Sequence, residues 1–286
     1  MKMPLYLGAC ACLLAAFAGG CRLLNDEPVV QGHSPLQPAR PSPDSVTMEI
    51  IWARFPAGDP AINSDAWREI DETQLPPAVQ RALANNGLRA GVIGTRLPEP
   101  IARAMRQGEA DEDQVTLAAS AEPVPLSADP IVHGRRQRLR RNQRSEIQAS
   151  EVYASLPLLV CGARELSGRT YHEAQAVYAL RVDPQPDRTV RLELTPELHH
   201  GAPRLRFTAD DGSGLRRAVL RDREVFDQMR LSLSLAPGEM LVLMSLPDAG
   251  SRLGHYFHTV DSADGPQQKL ILIRLAEMPP SDTFKD

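Results

Sequence analysis

The sequence predicts an α+β protein: a small N-terminal β-α-α-β-α module followed by a mainly antiparallel β-sheet or sandwich domain. Two patterns carry that expectation. Across residues 46–120, β-branched apolar runs are separated by stretches whose apolar residues recur at helical spacing, as in strands alternating with amphipathic helices. Across residues 155–278, apolar and polar residues alternate in runs divided by Pro, Gly and Asp, as in half-buried strands joined by turns. The scale fits, since 286 residues with 42% hydrophobic content can build a sizeable core.

In chain order, residues 1–20 read as a signal peptide. Lys2 supplies a positive charge, residues 5–18 form an uncharged apolar run, and Ala18, Gly19 and Gly20 lead into Cys21. Residues 21–45 hold that cysteine and a tether with prolines at 28, 35, 38, 41 and 43. Such a composition favours extended polyproline II and cannot bury a core. In the module, residues 46–55 read as a strand. Asp59-Pro60 opens a helix carrying Ile62, Ala66, Trp67 and Ile70. A second helix covers residues 76–84, with Val79 and Leu83 on one face and Asn86-Gly87 as its stop. Residues 88–94 read as a buried strand, Pro98 opens a helix carrying Ile101 and Met105, and a strand near residues 115–119 closes the module.

Residues 121–154 connect the two blocks and pack six arginines into ten positions: Arg135, Arg136, Arg138, Arg140, Arg141 and Arg144. They are candidate anion contacts, for lipid phosphates, lipopolysaccharide or nucleic acid, or else a solvated strand edge or loop. Arginine is this chain's habitual cation, for only three of its 32 basic residues are lysine (2, 269 and 285). In the β-domain, Tyr178, Leu180 and Val182 alternate with polar residues and so do Val190, Leu192 and Leu194. Asp183-Pro-Gln-Pro-Asp187 between them predicts a hairpin. Leu205 and Phe207 alternate before the turn at residues 210–214, and Leu231, Leu233 and Leu235 alternate before Pro237-Gly238. Leu270-Ile-Leu-Ile-Arg-Leu275 is apolar on both faces, as a central strand would be. Residues 279–286 form a tail.

Two resemblances add to this. Ala18-Gly-Gly-Cys21 is similar to the lipobox of bacterial lipoproteins, which implies that Cys21 is lipidated and becomes the first residue of the mature chain. Arg22 at the next position, by the same resemblance, points to the outer membrane facing the periplasm. The β-domain resembles the C-terminal domain of bacterial type II/III secretion secretins. The matching pieces are Val190-Arg-Leu-Glu-Leu-Thr-Pro-Glu197, Leu235-Ala-Pro-Gly-Glu-Met-Leu-Val-Leu243, Leu253-Gly-His-Tyr-Phe257 and Gln268-Lys-Leu-Ile-Leu-Ile-Arg-Leu275. Leu246-Pro-Asp-Ala-Gly-Ser-Arg252 lacks the proline-rich gate of secretins, so the resemblance implies a related β-fold and association with a protein partner or with itself, not a pore. The whole order also resembles that of exported bacterial lipoproteins.

A formal charge of −4 gives no basis for a nucleic-acid partner, and no second long apolar run exists for a multi-span membrane protein. Cys10 and Cys12 leave with the signal, so Cys161 stands alone in the apolar run 156–161 and reads as a buried small hydrophobe. His199-His200 and His255-x-x-His258 complete no ligand set, and on a strand the last two would face apart, so no metal and no cofactor is expected. The expected function is therefore a non-catalytic, lipid-anchored envelope protein that binds or assembles, with no catalytic residue assigned. Two alternatives stay open: a hydrolase whose site forms only on folding, such as Cys161 with His172, and an anion-binding module built on the arginine run.

Overall fold

Strand β1 (Ser45–Pro56) is apolar on both faces, and the fold covers both. Val46, Met48, Ile50 and Trp52 enter one core cluster, while Ala53 and Phe55 enter another. The computed structural model describes residues 44–110, 132–162, 165–209, 215–262 and 265–278. Cys21, the tether, the expected strand near 115–119, the turn at 210–214 and the tail lie outside them.

The first sheet contains β1, β2 (Leu88–Ile93), β3 (Val132–Arg140), β9 (Met240–Ser245), β10 (Thr259–Ser262) and β11 (Gly265–Glu277), in the order β2-β9-β11-β1-β3 with β10 beside β11. The second contains β4 (Ser145–Cys161), β5 (Leu166–Pro184), β6 (Val190–Ala209) and β7 (Leu215–Val225) in that order, with β8 (Leu231–Leu235) against the start of β6. Every ladder is antiparallel. The two sheets stack, and the larger core lies between them: Ile271 and Ile273 of β11 share it with Tyr178, Leu180 and Val182 of β5. Leu270 and Leu272 point the other way, toward Ile62, Trp67, Ile70 and Ile101. Helices thus cover the outer face of the first sheet, and the order of layers is helix, sheet, sheet.

The mainly antiparallel, β-rich architecture expected from the alternation is found. The first block holds β1, a π turn at Ala61–Asp65 with a 3₁₀ turn at Ala66–Arg68, α1 (Pro77–Asn85), β2, and α2 (Glu99–Ala110). The division into a separate module, a connector and a β-domain is corrected. Ile50 pairs with Ile273 and Ala90 with Leu243, so strands of the first block are built into the sheet that the last strands complete. The connector is no linker; its arginines lie on β3, the edge strand beside β1, and in the turn into β4. A strand that is apolar on both faces announces that it is central, but nothing in its own residues names its neighbours.

Two further differences bear on function. Residues 253–258 form a one-turn helix, α3 (Leu253–His258), an element the sequence did not announce. The hairpins β4–β5 and β6–β7 also run past the point where β5 and β6 stop pairing, at Gln175 and His199. The β4–β5 arm is tied down: the Leu159 N–H donates to the Ser251 carbonyl at 2.9 Å, and Leu156 and Leu158 are buried. The β6–β7 arm carries a bulge, where residues 201–203 stand opposite Arg221 alone. Gly201 there holds φ of +74°, and Pro203 has no N–H to give.

Candidate functional site

A cavity of about 200 Å³ opens between the two sheets, lined by Glu151, Tyr153, His255, Thr259, Val260, Asp261 and Lys269. Its origin is a bulge in β4. Gln148 pairs with Val177 and Val152 with Gln175, which leaves residues 149–151 without regular partners. The bulge does two things. It frees the Ala149 carbonyl, which accepts a hydrogen bond from Lys269 Nζ, and it turns Glu151 toward the cavity. Ser150 closes the gap, its hydroxyl accepting from the Ala176 N–H at 2.8 Å.

Lys269 occupies the inner-face position of β11 next before Ile271, so the alternation that aims Ile271 and Ile273 into the core aims the amine there too. It is 1% exposed. Burial lowers its pKa to about 7; the charge of Glu151 opposes that shift and the charge of Arg54 adds to it. Beneath it, His258 is fully buried in a closed set of bonds. Its Nδ1 faces the Lys269 carbonyl at 2.9 Å and its Nε2 faces the Tyr178 hydroxyl at 2.8 Å. A carbonyl can only accept, so Nδ1 carries the proton and Nε2 accepts from Tyr178. The neutral ring is kept so by burial and by the Lys269 charge, which lower its pKa to about 3. His255 and His258 therefore part company, one at the cavity and one in the core.

The buried lysine has a measurable signature in stability. Its folded pKa lies below the unfolded value, so between about pH 7 and 10 the unfolded chain holds a proton that the folded chain lacks. Stability then rises with pH in that window and is lost as pH falls through it. Denaturant titrations from pH 7 to 9 should show a slope approaching about 1.4 kcal/mol per pH unit. Lys269→Met should flatten it; an unchanged slope would mean that the amine is charged in the folded state.

A second polar centre lies on the outer face of the second sheet. Glu197 is buried and receives both guanidinium nitrogens of Arg144 at 2.8 Å, with His199 Nε2 at 3.0 Å. Burial alone would raise its carboxyl. Hydrogen bonds from His199 and Arg144, together with the charges of Arg144 and Arg223, outweigh burial and hold it at about 2. This is a clamp that joins the start of β4 to β6.

The arginine run is dispersed by the fold. Arg144 is held by Glu197 and Glu146, Arg141 lies 3.4 Å from Asp183, and Arg136 lies 3.2 Å from Glu49, which also binds Arg274. Arg138 and Arg140 are exposed on one face of β3, and Arg135 is half-buried on the other. Three of the six are thus committed to carboxylates. Cys161 ends β4 half-buried instead of in the core, with its backbone bound on both sides by the Asn86 amide, at 2.8 and 3.0 Å. It pairs across the ladder with Leu166, whereas His172 pairs with Ser155, six positions along β4. At about 3.3 Å per residue that is roughly 20 Å, so the fold does not bring the two together.

The β6–β7 arm carries four of the exposed large hydrophobics among the described residues. Leu205 and Val219 face each other across the ladder and are 60% and 65% exposed; Leu220 and Val225 are exposed as well. Sequence reasoning found the strand at Leu205 and Phe207 and the turn after it, but neither β7 nor the arm's separation from the sheet, because the bulge at Gly201 is all that marks it. The cavity was missed for a similar reason: Lys269 looks like one polar residue before an apolar strand, and its partner carbonyl is 120 positions away. No family model, curated protein or solved structure matches the chain.

Proposed function

We propose that this chain is a lipid-anchored cell-envelope protein, held through Cys21 at the outer membrane facing the periplasm, that works without catalysis as an assembly component. Its partner is a second copy of itself, joined through the β6–β7 arm. The observation that carries this reading is the arm: a two-stranded ribbon whose outer edge, β7, is unpaired among the described residues, with an exposed Leu205–Val219 pair. An isolated hairpin is at best marginally stable in water, and adding a strand from another copy along β7 would satisfy its edge and cover its apolar face. Arg216 lies near one end of β7 and Asp222 and Glu224 near the other, at positions of the same parity, so two antiparallel copies of this strand can set opposite charges side by side. A relation to secretins is part of this proposal. Its matching segments fall on β6, the turn from β8 to β9, α3 and β11, and secretin domains associate with copies of themselves.

The test is a pair of charges placed where the contact is proposed. Val219→Glu with Leu205→Glu should convert the detergent-extracted protein from a multimer to a monomer with little change in melting temperature, because both side chains are already solvated in the single chain. Arg138→Gln, on the distant edge strand β3, should leave the assembly intact. Retention of the multimer by the double variant would reject the arm as the contact.

A further inference from the structure

We propose that Lys269 is a carbonyl-capturing nucleophile, whose amine at the floor of the inter-sheet cavity condenses reversibly with a small, uncharged aldehyde or ketone. This is independent of self-association, since the cavity lies between the sheets and the arm beyond them.

Four observations converge. The first is the choice of residue: a chain that uses arginine for 29 of its 32 basic positions places a lysine on the cavity wall. Arginine stays protonated in proteins, whereas a buried amine sheds its proton. The second is placement: Lys269 is 1% exposed and lines a cavity of about 200 Å³. The third is restraint, since the carbonyl freed by the β4 bulge holds one amine hydrogen and fixes where Nζ sits. The fourth is protonation: at a pKa of about 7, half of the amine is free base at neutral pH. The groups around it are Arg54 on β1, His133 on β3, Glu151 on β4, His255 and His258 on α3 and Asp261 on β10. Glu151 and Asp261, on the cavity wall, repel anionic carbonyl compounds such as keto acids, which sets the preference for uncharged ones.

The chemistry balances without a further reagent. The Nζ lone pair attacks the carbonyl carbon, and the carbon–oxygen π pair moves to oxygen, giving a carbinolamine. Both amine hydrogens leave on that oxygen as one water while the carbon–nitrogen double bond forms. Nothing is oxidised or reduced, and hydrolysis restores the amine. When the imine takes up a proton, its single N–H can donate to the Ala149 carbonyl that held the amine before.

The test uses the native full-length chain in mild detergent, with propanal as probe and cyanoborohydride to fix any imine, followed by site-by-site mass mapping. Lys285 is the built-in comparator, since Lys2 belongs to the signal segment. An ordinary lysine near 10.4 is only about 0.04% free base at pH 7. Lys269 should therefore be alkylated at least tenfold faster than Lys285, and glyoxylate should label it more slowly than propanal. Its rate should level off above about pH 7 while that of Lys285 keeps rising, and in urea the two should react alike. Labelling of Lys269 no faster than Lys285, or a rate rising in parallel with it to pH 9, would overturn the assignment. No substitution is needed, so failure to fold cannot confuse the outcome.

Discussion

Gly254→Ala should lower the melting temperature by roughly 6–12 °C, corresponding to about 3 kcal/mol or more at this size. A Cβ built on Gly254 would stand 1.7 Å from the Gly87 carbonyl oxygen and 2.3 Å from its carbon. Both are backbone atoms, so no rotamer change relieves the clash. Gly87 cannot retreat either. It holds φ of +74° at the end of α1, and its own missing Cβ is the space that Ala249 occupies. The Gly254 N–H donates to the Asn86 carbonyl at 2.9 Å, and the Asn86 side chain bonds Ala82 and both backbone groups of Cys161. Displacing α3 would therefore loosen α1 and the β4–β5 arm together. Gly94→Ala is the control, with nothing within 4 Å of the new atom, and should stay within about 0.5 kcal/mol of the parent. A thermal melt of Gly254→Ala within 2 °C of the parent would show that the helix does not sit against Gly87 as described.

Cys21→Ala should abolish acyl labelling. Each buried methylene contributes about 0.8 kcal/mol, and two or more chains on one residue make a stable anchor, whereas a thiol contributes none of this. Cells fed labelled palmitate should mark the parent protein and leave Cys21→Ala unmarked, a difference of tenfold or more in band intensity. Globomycin, which blocks lipoprotein signal cleavage, should cause a larger form of the parent to accumulate. An unlabelled parent that ignores globomycin would remove the anchor from the proposed function.

Local chemistry made much of the fold legible. The β5–β6 hairpin could be read from Leu180 and Val182 facing Leu194 and Leu192, with Asp183-Pro-Gln-Pro-Asp187 between them, and these residues do pair. Helix α1 was bounded by Pro76 and by Asn86-Gly87, and it runs between them. Tertiary context decided the rest. Residues 253–258 carry aromatic and small residues that suit several backbones, and they become a helix where Gly254 meets Gly87. The partners of β1 were beyond reach because Ile50, Ile51 and Trp52 say only that both faces are covered. The candidate site was the least legible part, since Lys269 has its chemistry from a bulge in another sheet, and no pattern near residue 269 encodes that bulge. The arginine run was visible as a run, yet the carboxylates that take up Arg136, Arg141 and Arg144 come from Glu49, Asp183 and Glu197, spread across four strands with Glu146.

Self-association at the membrane is most directly tested by the native mass of the full-length protein, extracted from its own membranes in mild detergent and never unfolded. A mass at a whole multiple of the lipidated chain, collapsing to a single chain in Val219→Glu with Leu205→Glu, is the predicted result. A single chain at every concentration, with the arm unaltered, would contradict it.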